Sequence, residues 1–421
     1  MKRLTLLLVF ALLCGVFAFP TAAQEEITMW RHTSDLQHEL DAVAAIVDDF
    51  NAMQDEYMVS WEQLPQESYT ESITAASLAG ELPCVLDFDG PTVPNFAWAG
   101  HIQPIDPYLT EELVADMLPS AFGEYQGVVY SVGQFDAAVA LWGRRSVLEE
   151  AGIRIPEGVD DPWTLEEFDA ALETLAAMEE FEYAIDMFTA YDGEWWPYAF
   201  SPILQSFGGD LINRDDYLGA EGVLNGPGAV AFGEWFQNLF QSGLADPTAA
   251  DDQAFVQGRA ALAYIGNWYY PGLVEAWGDD LVIMPPPDFG NGTVVGGASW
   301  QWGISATCAN PDGAWAFLEY LLAPENVAAV SDATGLIPAR VSGADLTENY
   351  AEGGPLQIFV DISNSYSMLR PPTPGYPLIA STFENTAREI ALGADVQDML
   401  DDAVDAIEQD IEDNDGYGFG D

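Results

Sequence analysis

Few residues in this chain have the chemistry to attack, to ligate or to carry protons. The three histidines, His32, His38 and His101, form no H-E-x-x-H motif and no pair that would present two imidazoles on one helix face, so no metal is expected. No cofactor is expected either. A glycine cradle for phosphate needs its lysine, and Lys2 is the only lysine of the chain. "GGASWQ" (296–301) starts like the elbow that presents a nucleophilic serine, but Gln301 stands where the last glycine is required. Neither Cys84 nor Cys308 has a catalytic partner nearby in sequence. The 69 carboxylates make chance pairs unavoidable, so a glycosidase dyad cannot be singled out from sequence. No catalytic residue is identified.

A different pattern recurs: aromatic side chains beside turn signals and hydrogen-bonding groups. It appears in "MWRHTS" (29–34), "DGEWWPYAF" (192–200), "IGNWYYPG" (265–272) and "GGASWQWGIS" (296–305). A sugar has an apolar C–H face and a rim of hydroxyls, so such clusters offer rings for the face and polar groups for the rim. Covering about 60 Å² of that face would contribute about 1.5 kcal/mol at ~25 cal/mol per Å². Any one of these tryptophans can equally fill a core. As a set beside loops, they point to carbohydrate.

The elements that position these clusters follow from hydrophobic period. "ITMW" (27–30) and "YMVSWEQL" (57–64) read as strands. Between them lies a helix on Leu40, Val43, Val47 and Phe50, opened by a capping box of Ser34 and Gln37. A further helical stretch ends near Gly80, and "CVLDFDG" (84–90) is a third short strand. This β-α-β-α-β order argues for parallel strands under helices. "VALWG" (139–143) repeats the theme, followed by a helix capped by Thr164 and Glu167. Later helices are expected from Pro227, from Asn310 and Pro311, from Ser381 with Glu384 as its cap, and over 394–411. The acidic tail lacks the ligand spacing of a calcium loop.

The chain begins with Lys2 and Arg3, an apolar run from Leu4 to Phe19 and the small pair Ala22 and Ala23. This is the layout of a secretory signal peptide over 1–23. The rival readings are a retained anchor, for which the run is short, and lipidation at Cys14, against which Leu13 is bulky. At 421 residues the chain is too long for one core and should form two lobes. The net charge of −58 disfavours nucleic acid and anionic lipid as partners, because both are bound through Lys and Arg. Aromatic residues at 12 % argue against disorder. Cys84 and Cys308 can pair in an oxidising compartment or remain as small apolar side chains.

Five stretches, taken in order, resemble the extracellular (periplasmic) solute-binding proteins, family 1, of ABC sugar importers, the group that includes maltose-binding protein. They are "ELPCVLDFDGP" (81–91) with "AWAGHIQPIDPYL" (97–109); "VYSVGQFDAAVALWGRRSVLEEAGI" (129–153) with "PWTLEEFDAALETLA" (162–176); "AFVQGRAALAYIGNW" (254–268); "MPPPDFGNGTVVGGASWQWGIS" (284–305) with "NPDGAWAFLEYLLAPEN" (310–326) and "GLIPAR" (335–340); and "LRPPTPGYPLIASTFENTAREI" (369–390). The chain departs from the pattern at Trp142, Gly143, Arg144 and Arg145, where the family reads like "YNK". The resemblance implies a two-lobed α/β periplasmic-binding-protein fold of type II, each lobe a mainly parallel sheet flanked by helices. Lobe one would hold 24–139 and 302–326, and lobe two 140–301 and 327–421. It implies a monomer that captures a mono- or oligosaccharide in an interlobe cleft outside the cytoplasm, in the periplasm or at the cell surface, and hands it to the transmembrane subunits of an ABC permease. The rival is a secreted carbohydrate-active enzyme with a carboxylate pair.

Mapped onto the family's motifs, the ligand-binding residues would be His32, Ser34, Glu62, Gln63, Asp89, Gln134, Asp136, Trp268, Trp300 and Arg370; Trp195 and Trp196 match by kind only, and of the two Trp196 is taken for the site. Asp89 and Asp136 would accept hydroxyl hydrogens, Arg370 would donate, and Trp268 and Trp300 would be platforms. A strand-end cap remains open for Asp89, and a lobe-edge salt bridge for Arg370. Cys84 would begin the third strand of lobe one and Cys308 follow the strand that re-enters it, so a disulfide between them is expected.

Overall fold

A computed structural model describes residues 24–33, 37–297 and 299–419. The expected signal peptide and Ser34, with its capping box, lie outside these residues. Strands β1 (Glu25–His32) and β2 (Tyr57–Leu64) are parallel and joined by the helix Gln37–Met53. That helix buries Leu40, Val43, Ile46, Val47 and Phe50, the stripe that a 3.6-residue period presents to a sheet. Strand β3 (Val85–Asp89) runs parallel to β1 on its other side. Then follow β4 (Ile102–Gln103), β5 (Phe122–Tyr125) and β6 (Val128–Gly133).

At β7 (Phe135–Asp136) the chain leaves this sheet for a second, built from β8 (Val139–Arg144), β9 (Tyr183–Asp186), β10 (Ala260–Gly266) and β11 (Leu281–Met284) in the order β11-β8-β10-β9. It returns through β12 (Val295–Gly297) into β13 (Trp300–Ser305), which lies between β3 and β6 in the order β2-β1-β3-β13-β6-β5. Two ribbons mark the junction: β14 (Ile337–Pro338) pairs with β7, and β15 (Ser367–Leu369) with β12.

Each sheet has its own core. Ile27, Val85, Ile304, Phe317 and Leu318 pack in the first, and Leu141, Trp142, Phe200, Phe236 and Ile265 in the second. Val330, Leu336 and Ala339 belong to the first core and Tyr350, Leu356 and Phe359 to the second. The first core therefore reaches past residue 326, where the sequence reading divides the lobes.

Two details differ from expectation. The sheets are mixed, not mainly parallel: β13 runs antiparallel to β3, β4 and β6, and β8 antiparallel to β10 and β11. A strand that arrives from the other lobe needs no crossover helix, and only crossover helices impose parallel pairing. Ser381 and Glu384 do not open a helix, because the helix Tyr376–Ala391 already contains both. The Ser381 hydroxyl donates to the Leu378 carbonyl at 3.1 Å, a local bond that lets serine sit inside a helix. Thr164 does cap the helix Leu165–Ala176 with Glu167.

Cys84 and Cys308 form a disulfide with their Cα atoms 4.4 Å apart, fastening the start of β3 to the end of β13 across 224 residues. No helix among the described residues is long and apolar enough to cross a membrane. Restricting so long a loop in the unfolded chain should be worth about 2–5 kcal/mol. Denaturant unfolding of the oxidised protein and of a Cys84→Ser/Cys308→Ser variant is expected to differ by that amount, and coincident midpoints would refute it.

Candidate functional site

Strands β1 and β3 end on the same edge of the first sheet, and antiparallel β13 begins there, Trp300 opposite Asp89. Ligands of open α/β sheets are bound at such carboxyl ends. Asp87, buried one residue pair back in β3, takes the His32 backbone N–H at 3.0 Å and meets His32 Nδ1 at 2.6 Å. So held, the imidazole stacks on the Trp300 indole, centroids 3.5 Å apart and planes at 19°.

The second lobe answers with β10, whose "AALAYIG" is buried throughout. Beyond it, Asn267 is fully buried. Its Oδ1 accepts from the Ala138 N–H at 3.2 Å, and its Nδ2 donates to the Gly335 carbonyl at 2.9 Å and to the Tyr350 hydroxyl at 3.0 Å. One amide thus ties three chain segments at the junction and fixes the turn that carries Trp268. Gly266 is required beside it, because a Cβ there would lie 1.8 Å from Trp268 Cζ3.

The helix Trp195–Ser206 supplies the rest of that wall. Trp195 and Tyr198, three residues apart, share a face, with ring centroids 6.1 and 6.0 Å from Trp268. Trp196 is turned away by about 100° and does not reach the cleft. It is fully buried, donates from Nε1 to the Tyr191 carbonyl at 2.9 Å and carries the Arg388 guanidinium over its ring. Trp195 takes the place expected of Trp196.

Arg370, just after β15, joins the two walls. Its guanidinium donates to both oxygens of Asp89 at 3.0 Å each, donates to Glu194 at 2.5 Å, and lies 4.9 Å from the Tyr198 ring centroid. The Tyr376 hydroxyl also donates to Glu194. Burial pulls the pKa of Arg370 down, but the Asp89 and Glu194 charges together push it well above the ordinary arginine value. Glu194 moves the other way from most paired acids. Burial and then the Asp89 charge outweigh Arg370 and raise its pKa from 4.5 to about 7, although 26 % of its side chain still meets solvent.

These groups enclose a cleft of about 880 Å³, open mouth included, lined by residues of both lobes, within the ~300–1,000 Å³ usual for small-molecule sites. His32, Asp89, Trp268, Trp300 and Arg370 line it. Glu62 and Gln63 do not; both are exposed on β2, the outermost strand of the sheet. Gln134 is buried behind the cleft, where its amide donates to the Leu321 carbonyl at 2.9 Å. Asp136 is buried in β7, accepting from the Ser120 hydroxyl and the Ala137 N–H at 2.7 Å each, and burial raises its pKa. Both residues brace the junction, because β7 is one of the crossing segments and its side chains face its neighbours. Ser34 lies outside the described residues.

The sequence reading passes over Trp195 in favour of its neighbour and misses Glu194, Tyr198 and Asn267. The i, i+3 spacing of Trp195 and Tyr198 was a usable signal once a helix start is placed at Trp195; Asn267 had none. The Tyr198 hydroxyl is buried with no hydrogen-bond partner among the described residues, and burial keeps it protonated by raising its pKa well above the ordinary value. The site can therefore stack a ring on indoles and offer a phenol donor and carboxylate acceptors to hydroxyls. No group of three or more His, Cys, Asp or Glu that could hold a metal occurs among the described residues.

Between about pH 4.5 and 7, folded Glu194 holds a proton that the unfolded chain has released, so its contribution to stability falls as pH rises through that window. Glu194→Gln should remove this component, flattening the decline in unfolding free energy from pH 4.5 to 7 relative to the parent. Parallel curves would show that Glu194 titrates normally.

The family model described as "Bacterial extracellular solute-binding protein" matches residues 45–354. A maltotriose-binding protein of Pyrococcus abyssi is 25 % identical over 328 residues, covering 74 % of this chain and 66 % of that protein, just under two thirds of its length. Among solved structures, a cyclic alpha-maltosyl-1,6-maltose binding protein from Arthrobacter globiformis superposes with a TM-score of 0.74 at 24 % identity, covering 93 % of this chain and 100 % of that one. An ABC substrate-binding protein from Listeria monocytogenes in complex with cycloalternan gives 0.79 at 16 % identity, covering 92 % and 99 %. At these identities the solved structures establish the two-lobed fold.

Proposed function

This chain belongs to the bacterial extracellular solute-binding protein family, and from that premise we propose that it is the binding subunit of an ABC importer for a carbohydrate, capturing a mono- or oligosaccharide between its lobes outside the cytoplasm and delivering it to a membrane permease. One observation carries the choice of ligand: indoles from both lobes, Trp300 from the first and Trp195 and Trp268 from the second, line one cleft together with carboxylates and a buried phenol. Rings cover the C–H face of a pyranose, and fixed acceptors and donors address its hydroxyls. The maltotriose-binding relative supports the same class.

Binding is favoured over hydrolysis. Asp89 and Glu194 share one guanidinium, and Glu194 also holds Tyr376. Neither stands free to protonate a leaving group while the other activates water. The ligand's work is to favour the closed arrangement of the lobes, by contacting both walls at once.

A panel of neutral mono- and oligosaccharides, maltotriose and mannobiose among them, tests the reading by thermal unfolding. A true ligand at a hundred times its dissociation constant should add about 2.7 kcal/mol, and flat melting across this panel and across acidic sugars alike would refute it. Trp268→Ala is expected to weaken the bound sugar at least tenfold while the free protein stays folded. Trp196→Ala should instead destabilise the free protein by about 3–5 kcal/mol, because that indole packs the core.

A further inference from the structure

The charges that line the cleft are unequal in number. Glu39, Asp89, Asp192 and Glu194 face one lining cation, Arg370, among the described residues. Two of the carboxylates are held by guanidiniums outside the lining: Arg31 holds Glu39, and Arg388 holds Asp192 at 2.5 Å while also holding Glu384 at 3.0 Å. Asp89 and Glu194 share Arg370. With Glu384 counted, three guanidiniums thus face five carboxylates, and part of the surplus sits on the pair that bridges the lobes. Behind His32, Asp87 adds a further carboxylate.

A carboxylate or phosphate on a sugar stacked between Trp268 and Trp300 would meet no guanidinium with charge to spare. To reach Arg370 it would have to displace Asp89 or Glu194, leaving that group in a partly desolvated cleft without its partner. If it displaced neither, it would add a like charge beside both. Hydroxyls carry no such penalty, since each can donate to the same carboxylate oxygens. We propose that the Asp89–Arg370–Glu194 bridge makes this cleft selective against acidic sugars, admitting uncharged saccharides and rejecting their uronate and phosphate forms. This rests on the carbohydrate reading above.

Titration calorimetry at pH 8 on the full chain would compare the best-bound neutral sugar of the panel with the same sugar after oxidation of its primary alcohols to carboxylates. The oxidised form should bind at least a hundredfold more weakly. Glu194→Gln, and independently Asp89→Asn, should narrow that ratio at least tenfold, because each removes the surplus negative charge beside Arg370 that an acidic sugar would meet; having both variants guards against one failing to fold. Affinities within threefold of each other, or ratios unchanged in folded variants, would overturn the proposal. So would binding of trigalacturonate or glucose 6-phosphate where neutral sugars are silent, an outcome that leaves the carbohydrate reading intact. Silence from neutral and acidic sugars alike would overturn both.

Discussion

A guanidinium cannot be neutralised at any ordinary pH, so a buried one obliges the rest of the structure to bring it carboxylates. Arg370 is buried, its side chain 3 % exposed, and its partners come from opposite sides of the cleft: Asp89 at the end of β3 and Glu194 at the start of the helix Trp195–Ser206. The bridge therefore couples three parts of the chain that share no sheet. It also sets where the aromatic walls stand, because Asp89 is the register partner of Trp300 and Glu194 directly precedes Trp195. Moving the guanidinium would move both walls.

The platform on β10 is held by different means. Gly266 gives the Trp268 indole the space a side chain would occupy, and Asn267 fastens the same turn to Ala138, Gly335 and Tyr350. Residues 133–139 and 335–340 are crossing segments, so this turn is anchored to the junction between the lobes. Trp268 packs against both hydrophobic cores. On the proposed closure of the lobes, a ring placed there would change its surroundings, whereas Trp300, sitting on the first sheet under His32, would not. A ligand between them would contact one wall fixed to the first lobe and one that would follow the proposed closure, an arrangement through which differential contact would favour the closed form.

Much of this was legible in the sequence, and unevenly so for physical reasons. Strands and helices with a strict period, such as the stripe on Gln37–Met53, declare themselves because burial on one face repeats along the chain. Trp268, Trp300 and Asp89, which line the cleft, were pointed to by the family resemblance, and the two rings also by the turn signals beside them. Trp196 was chosen over Trp195 because adjacent residues in a helix face about 100° apart, and composition cannot tell which of two indoles faces the core. Glu62 and Gln63 failed to reach the cleft because β2 is the outermost strand, a fact of sheet order that pairing across distant segments decides. Asp136 looked like a hydroxyl acceptor and is a brace, since only the tertiary structure brings Ser120 and Ser363 to it.

The chain's overall charge does not account for the charge of its cleft. The chain has sixty-nine acids against eleven bases, but at 0.1 M salt exposed charges farther apart than ~10 Å are largely screened from one another, and at 1 M beyond ~3 Å. The distant carboxylates thus steer what approaches and contribute little to what is held. Inside the cleft the opposite applies: Asp89 and Arg370 are shielded from water, and Glu194 mostly so, and a single uncompensated charge there outweighs many at the surface. Two chains with the same net charge could differ in ligand class through one residue of that bridge. Conversely, replacing surface acids by neutral residues would alter solubility and approach while leaving selection between neutral and acidic sugars where the Asp89–Arg370–Glu194 geometry puts it.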